Sequence, residues 1–216
     1  EQKVDSSAFN SSSNAFFVSS LSPFIQQTVC IMVAGFYLSD ADLGLFKVAE
    51  RTALLINFVL IVINAVLPPL FASLYKDEKK IELLGLLRKG SALGLLLASP
   101  FLIICLAVPK WVLGLYGSGF LDAAPLLQII AIAQAFNVAT GSVGFILNMT
   151  GNEKTMRNIT LVGNTIGVVL IYLLTRQYGA VGAASALATT LFIQKSLELF
   201  FVRKKLGFWV FPRIKA

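Results

Sequence analysis

The chain has 216 residues, of which 56% are hydrophobic and only 13% are charged, and its mean hydropathy is +0.79. An ordinary soluble domain carries about 25% charged residues, so this composition excludes a water-soluble protein. The 18 Lys and Arg residues outnumber the 11 Asp and Glu residues, which gives a net charge of +7. The charges fall in short islands between apolar runs, so the basicity indicates contact with membrane surfaces rather than with nucleic acid.

Six apolar runs in chain order predict six transmembrane helices. A helix needs about 20 apolar residues to cross a hydrocarbon core about 30 Å thick, and lipid offers no partners for an unpaired backbone. The runs cover about residues 15–38, 52–75, 90–108, 125–149, 158–175 and 180–202. We therefore predict an all-α membrane protein in which residues 15–202 form a bundle of six transmembrane helices.

The segments outside the predicted bundle are short. Residues 1–14 are rich in Ser and Asn and are expected to form a flexible or interfacial lead-in. The connection at 75–90 alternates Leu with charges in a helical pattern, which is typical of a segment lying along the inner membrane surface. Residues 203–216 form a basic tail. The chain begins with Glu1 rather than Met, so we expect a fragment or a processed product.

The distribution of Lys and Arg predicts that both termini are cytoplasmic. With that orientation, the cytoplasmic segments hold 13 basic residues and the outer segments hold four. The four outer ones are Lys47, Arg51, Lys110 and Arg176. Cytoplasmic loops carry the Lys and Arg excess in membrane proteins. We therefore expect a multi-pass protein of the cytoplasmic membrane.

The sequence offers little catalytic chemistry. It contains no His, and its two Cys residues, Cys30 and Cys105, both lie inside apolar runs. Thiols in such places behave as small hydrophobic groups, so we predict two free thiols. We expect no metal site, no cofactor and no enzymatic activity.

Uncharged polar side chains recur inside the apolar runs. Asn57 and Asn64 are seven residues apart and share one face of the second helix, while Gln134 and Asn137 lie in the fourth helix. Such groups either hydrogen-bond neighbouring helices, at about 0.6–2 kcal/mol each, or line a wet cavity for a polar substrate. Both interpretations stay open for each residue. Their recurrence favours a cavity somewhere in the bundle, so all four are candidate substrate-binding residues.

Lys195 and Glu198 lie within the sixth run, where ionisable groups are costly and often functional. They are three residues apart, close enough to pair on one helical face. They are candidates for ion coupling. Alternatively, both side chains extend to the nearby inner surface.

Lys47 and Arg51 are four residues apart at the start of the second run and form a cluster with Glu50. Together the two cations could face an anionic group such as a pyrophosphate, since Arg offers a planar fork of donors and Lys a point charge. Alternatively, they contact outer lipid headgroups, with Arg51 paired to Glu50 or Asp42.

Three stretches in order along the chain resemble a known family. DLGLFKVAERTALL, at 42–55, resembles a loop-to-helix signature of polysaccharide flippases. The stretch 115–154 begins LYGSGFLDAA and ends LNMTGNEK, and it is similar to the family's return from an outer loop. QYGAVGAASALATT, at 177–190, resembles the entry to the following helix. The chain is identified as similar to the carboxy-terminal half of an O-antigen or teichuronic-type polysaccharide biosynthesis flippase, within the multidrug/oligosaccharidyl-lipid/polysaccharide exporter superfamily.

This resemblance implies a specific function. Such proteins have two six-helix bundles that face each other across a central cavity, and they move undecaprenyl-pyrophosphate-linked oligosaccharides to the outer leaflet by alternating access. The implied partners are the lipid-linked oligosaccharide, membrane lipids, the missing amino-terminal bundle and glycan-assembly proteins, with no nucleic acid. Two alternatives remain: a cation-coupled multidrug exporter of the same superfamily, and a membrane scaffold or accessory subunit that transports nothing.

Overall fold

A computed structural model describes residues 6–207, apart from the side chains at 6–16, 18–20 and 23. Every regular element in this described range is helical, which confirms the predicted all-α class. The elements are α1 (Ser6–Tyr37), α2 (Asp40–Lys76), α3 (Lys80–Ala107), α4 (Pro109–Gly114), a 3₁₀ helix (Ser118–Ala123), α5 (Ala124–Thr140), α6 (Val143–Met149) and α7 (Glu153–Leu206).

The structure describes part of the predicted lead-in and part of the predicted tail. Residues 6–14 belong to α1 rather than to a flexible segment, while residues 1–5 lie outside the described range. At the other end, α7 continues to Leu206, and Gly207 closes it in the left-handed conformation (φ 79°). The rest of the predicted basic tail, residues 208–216, also lies outside the described range.

The second helix is longer than its uncharged run. α2 begins at Asp40, and the Ser39 hydroxyl accepts a hydrogen bond from the Asp42 backbone N–H at 3.1 Å. This is a side-chain N-cap, and the two aspartates of the first turn suit the positive end of the helix dipole. The uncharged run 52–75 is therefore only the later part of a helix that begins among charges.

The connection predicted at 75–90 is mostly helical in the structure, and its position along the membrane surface stays a prediction. Only residues 77–79 separate α2 from α3, which begins at Lys80. Leu83 and Leu87 on the first turns of α3 are fully buried. Their helical spacing therefore reflects packing inside the protein.

Gly141 divides the fourth apolar run into α5 and α6. Gly141 has φ 67°, in the left-handed region, and an added Cβ would overlap the Ser91 side chain of α3. The backbone conformation and the close approach to α3 both require glycine at this point. An apolar composition that continues across the break gave no sign of it.

α7 folds back on itself at Gly179. The backbone there leaves the helical region (φ 59°, ψ −139°), and an added Cβ on Gly182 would overlap the Leu174 carbonyl. Further along, the Gln194 amide donates to Asn164 Oδ1 at 2.9 Å. α7 is therefore an antiparallel hairpin, and its two arms contain the fifth and sixth apolar runs.

Four helical segments of the described range are long and apolar enough to cross a membrane: Asp40–Lys76, Lys80–Ala107, Ser118–Thr140 and Glu153–Leu206. α1 contributes a shorter apolar stretch, Phe24–Tyr37. Large apolar side chains cover the outside of the bundle; Phe36, for example, is 83% exposed and Phe58 is 62% exposed. The chain is thus a helical membrane protein, while the count of six crossings stays a prediction.

Two buried apolar clusters lie near opposite ends of the bundle. The first includes Leu38 and Ala123, beside the connections that precede α2 and α5. The second includes Leu83 and Leu147, near the connections at the other ends of the same helices. The buried amides Gln134 and Asn137 lie on α5 among residues of the first cluster, such as Ile130 and Val138.

Candidate functional site

Two adjoining cavities occupy the middle of the bundle. The Glu50 cavity has a volume of about 290 Å³ and lies among α1, α2, α5 and both arms of α7. The Glu198 cavity, of about 530 Å³, is lined by the same helices and by α6. Five residues line both cavities: Gln26, Asn57, Asn137, Leu191 and Gln194. The two cavities therefore share one wall, and four of its five side chains are amides.

An amide cluster on this wall joins α2 to α5. Asn137 Nδ2 donates to Asn57 Oδ1 at 3.0 Å and to Gln134 Oε1 at 3.3 Å. Three of the predicted substrate-binding residues are thus in contact, and all three line the Glu50 cavity. The Asn137–Asn57 contact is also an interhelical hydrogen bond, whereas the Asn137–Gln134 contact lies within α5. These residues therefore also have a structural role.

Asn64, the fourth predicted amide, lies in the Glu198 cavity. Its Oδ1 accepts a hydrogen bond from the hydroxyl of Ser142, the residue that precedes α6. Asn57 and Asn64 therefore do share one face of α2, but each is held by a different neighbour. The break at Gly141 brings Ser142 against α2.

A second amide cluster joins α1 to the two arms of α7. Asn164 accepts from Gln194, and its own Nδ2 donates to the Ser22 carbonyl at 3.1 Å. Sequence analysis missed Asn164 and Gln194. The signal in the sequence is the four-residue spacing of Gly163 and Gly167, which is typical of close helix packing. In the structure, an added Cβ on Gly163 would overlap Gln194.

Lys195 and Glu198 form a close ion pair. Lys195 Nζ donates to Glu198 Oε2 at 2.8 Å, and the Glu198 side chain is only 5% exposed. The expected pairing on one helical face is confirmed, whereas extension of Glu198 to the surface is wrong. The carboxylate also packs against Gly144 of α6, where an added Cβ would lie 3.1 Å from Oε2. A role of this pair in ion coupling stays a prediction.

Glu50 is the second buried carboxylate. It is 6% exposed and lies ten residues into α2, on the same face as Phe46 and Asn57, which also line its cavity. Gln27 Nε2 of α1 donates to Glu50 Oε1 at 3.2 Å. Glu50 Oε2 has no hydrogen-bond partner among the described residues. The expected cluster with Lys47 and Arg51 at the outer mouth is wrong, because Glu50 faces the bundle interior.

The spacing to Asn57 could have revealed this orientation. Residues seven apart lie on one side of a helix, so a cavity that includes Asn57 predicts that Glu50 faces it too. Sequence analysis grouped Glu50 with its neighbours in the chain instead.

Lys47 and Arg51 lie on α2 but line neither cavity. Lys47 is half-buried and Arg51 is exposed. The structure therefore separates the two predicted pyrophosphate-binding cations from the amide clusters. Arg51 forms no ion pair with Glu50 or Asp42 within the described residues.

Both cysteines are free thiols, as predicted. Cys30 lines the Glu50 cavity, and Cys105 is buried in the first apolar cluster.

Comparison with known proteins gives one family match and two similar proteins. The model of a family described as polysaccharide biosynthesis protein matches residues 6–125, more than half of the chain. An uncharacterized membrane protein of Methanocaldococcus jannaschii is 27% identical over 162 residues, which are 74% of this chain and 32% of that protein. The capsular polysaccharide biosynthesis protein CapF of Staphylococcus aureus is 24% identical over 163 residues, which are 75% of this chain and 41% of that protein.

The chain therefore spans less than half of the length of either relative. No solved structure gives a significant match. The family match covers α1 to α3 and the approach to α5, which together hold Gln27, Glu50 and Asn57. This chain belongs to the polysaccharide biosynthesis protein family.

Proposed function

We propose that this chain is one six-helix bundle of a flippase that moves undecaprenyl-pyrophosphate-linked oligosaccharide across the cytoplasmic membrane for synthesis of a cell-surface polysaccharide. In this proposal it is a transporter rather than an enzyme. The second bundle of the transporter comes from another segment or another chain. Both termini face the cytoplasm, in accord with the 13 basic residues in the cytoplasmic segments and the four in the outer segments.

One observation carries the proposal: a pair of adjoining cavities whose shared wall is mainly uncharged amide, inside a bundle with an apolar exterior. Each amide offers both donors and an acceptor, which suits the hydroxyl groups of a sugar, since these are donors and acceptors too. An apolar cargo would form no hydrogen bonds with these amides and would displace the water that can bond them, which is unfavourable. The name of the S. aureus relative, a capsular polysaccharide biosynthesis protein, supports the same cargo.

Lys47 and Arg51 have a separate role in this proposal. The exposed Arg51 and the half-buried Lys47 hold the pyrophosphate at the membrane surface while the sugars enter the amide-lined wall. Their position outside both cavities supports this division, because a polyanion is best held where cations need no burial.

A second candidate is a cation-coupled multidrug exporter of the same superfamily. Acidic residues away from the membrane surface are what cationic drugs would require, and the buried Glu50 in a cavity favours this candidate. The two candidates differ in their cargo, so transport experiments separate them.

The test uses the full-length protein that contains this chain, reconstituted in liposomes. Lipid-linked oligosaccharide with a fluorescent sugar is placed in both leaflets, and a membrane-impermeant quencher reports how fast the inner pool reaches the outside. Asn137→Leu removes the amide that bonds both Asn57 and Gln134, and should slow flipping at least about tenfold, since each lost bond to a polar cargo raises the barrier.

The matched control is Asn158→Leu, because Asn158 is exposed and lines neither cavity. This variant should flip the lipid-linked oligosaccharide at the wild-type rate. A wild-type rate for Asn137→Leu would show that the amide wall does not line the transport pathway. Transport of cationic drugs without flipping of the glycan lipid would select the exporter, and transport of neither would select the scaffold.

A further inference from the structure

An open cleft lies outside the central cavities, where α3 ends and α5 begins. It has a volume of about 620 Å³ and is formed by the end of α3, by α4 and by the segment that leads from the 3₁₀ helix into α5. None of its lining residues lines the Glu50 cavity or the Glu198 cavity. Its volume falls within the range of about 300–1,000 Å³ that is typical of small-molecule sites.

The walls of this cleft are held by packing beneath them. Leu113 of α4 and Ala123 at the end of the 3₁₀ helix are fully buried in the first apolar cluster. Gln128 Nε2 of α5 donates to the Leu106 carbonyl of α3 at 3.0 Å, which ties the two sides of the cleft together. A ligand would therefore meet a site that is already formed, and such preorganisation lowers the cost of binding.

Three polar side chains of the cleft have unused hydrogen-bonding capacity. The Asp122 carboxylate and the Lys110 ammonium group line it, and neither forms an ion pair in the part of the chain that the structure describes. Gln128 donates to Leu106, and its Oε1 accepts from no described residue. The cleft therefore offers a carboxylate and an amide oxygen as acceptors and an ammonium group as a donor.

Trp111 adds an aromatic ring to the same cleft. Its side chain is 66% exposed, although Leu113 on the same short helix is fully buried. Aromatic side chains bury large apolar areas when a ligand covers them. A sugar ring has an apolar face of C–H groups and an edge of hydroxyl groups, so it can cover an indole ring while its edge bonds to polar side chains. The cleft provides both kinds of contact.

The charges of the cleft argue against a lipid headgroup as its ligand. Lys110 and Asp122 together give it no net charge, and the carboxylate would repel a phosphate group. Phosphate is best held by cations and N–H donors. The hydroxyl groups of a neutral sugar can instead accept from Lys110 and donate to Asp122 and Gln128.

The cleft lies at the end of the bundle where α2 begins. The first apolar cluster joins Leu38, which precedes α2, to Leu113 and Ala123 beneath the cleft. In the orientation given under the proposed function, this is the outer end, where a translocated glycan emerges.

We propose that this cleft binds neutral sugar units of the exported glycan, with one sugar ring on Trp111 and its hydroxyl groups bonded to Asp122, Lys110 and Gln128. The site is separate from the amide wall and receives the sugars after they have crossed the membrane. The inference rests on the proposed function for the identity of the glycan, whereas binding to the cleft is measured without transport.

The test is binding of a soluble oligosaccharide to the purified full-length protein in lipid nanodiscs. The probe is the repeat-unit oligosaccharide that mild acid releases from the host's lipid-linked precursor, with a fluorophore at its reducing end and without lipid or pyrophosphate. Equilibrium dialysis measures its dissociation constant. Asp122→Asn and Trp111→Ala should each weaken binding at least about tenfold, and Trp111→Phe should restore part of it.

Each variant has a matched control near the same end of the bundle. Asp40→Asn removes an exposed carboxylate from the first turn of α2, and Tyr178→Ala removes an exposed aromatic ring beside the hairpin at Gly179. Neither residue lines the cleft, so both variants should bind the probe like wild type. Helix content and monodispersity establish that every variant is folded.

The outcomes separate this site from the proposed transport. Wild-type protein that binds no probe would overturn the inference even if it flips the lipid-linked oligosaccharide. Unchanged binding by Asp122→Asn and Trp111→Ala would also overturn it and leave contact with the membrane surface as the role of Trp111. Loss of binding in Asn137→Leu alone would overturn it by placing the probe at the amide wall. Probe binding that depends on Asp122, in a protein that flips nothing, would support the site and reject the proposed transport.

Discussion

The two buried glutamates of this protein face adjoining cavities, but only Glu198 is paired with a positive charge. Glu198 lies 2.8 Å from Lys195 on its own helix, so its charge is balanced within one turn. Glu50 has a neutral Gln27 amide as its partner and an oxygen with none. The exposed fraction is similar, 4% and 6%, so burial alone does not distinguish them.

The difference teaches what each carboxylate can do. Lys195 neutralises Glu198. The pair contributes to the packing of α6 against α7, where Gly144 lies against Glu198. The ion pair therefore stabilises the packing of two helices, whereas Glu50 faces its cavity with one oxygen that has no partner among the described residues.

The largest expected effect comes from leaving Glu198 unpaired. Lys195→Met should lower the free energy of unfolding by about 3 kcal/mol, because removal of one partner of a buried pair strands the other charge. The measurement is reversible denaturant unfolding of the full-length protein in mixed micelles. The double variant Lys195→Met with Glu198→Leu should recover most of the loss, since an apolar pair of similar volume is often neutral. A double variant as unstable as the single one would contradict the pairing account.

Glu50→Gln should have a much smaller effect on the same measurement. It should change the free energy of unfolding by about 1 kcal/mol or less, and the change should favour the variant, because an amide removes an uncompensated charge. Glu198→Gln, by contrast, strands Lys195 and should cost several times more. Equal losses from the two Glu→Gln variants would mean that Glu50 has a positive partner.

Arg51→Gln should leave stability within about 0.5 kcal/mol of wild type, since exposed substitutions away from contacts have little effect. If Arg51 holds the pyrophosphate, the same variant should flip lipid-linked oligosaccharide poorly, and Arg51→Lys should restore flipping in part. Arg176→Gln removes another exposed cation and is the control. Wild-type flipping by a well-folded Lys47→Gln, Arg51→Gln double variant would leave headgroup contact as the role of both residues.

The sequence could predict the class of fold because charge and hydropathy act locally. Apolar runs between charged islands indicate helices in a membrane wherever those runs occur, and the amides at 57, 64, 134 and 137 stood out against that background. All four do line the central cavities. The helix ends were harder to predict, since helices such as α2 begin among charges at the membrane surface.

What the sequence did not reveal depends on contacts between distant segments. The division at Gly141 needs the approach of Ser91 from α3, and the Asn164–Gln194 bond needs the hairpin at Gly179. Glu50 was assigned to the outer mouth because its neighbours in the chain are basic, whereas the packing of α1 and α5 on α2 decides which way it faces. The seven-residue spacing between Glu50 and Asn57 places both on one face of α2, but only the packing shows that this face lines a cavity.

The central claim is that the amide wall between the two cavities is wet and receives the cargo, and cysteine accessibility at Asn57 tests it most directly. Asn57→Cys is placed in a background without Cys30 and Cys105, beside Phe58→Cys, whose side chain lies on the apolar exterior. A charged, membrane-impermeant thiosulfonate should modify Asn57→Cys at least about tenfold faster than Phe58→Cys, because it reacts in water and not in lipid. Added lipid-linked oligosaccharide should slow only the reaction at Asn57→Cys. An Asn57→Cys protein that still flips the lipid, yet reacts no faster than Phe58→Cys and gains no protection, would contradict the account.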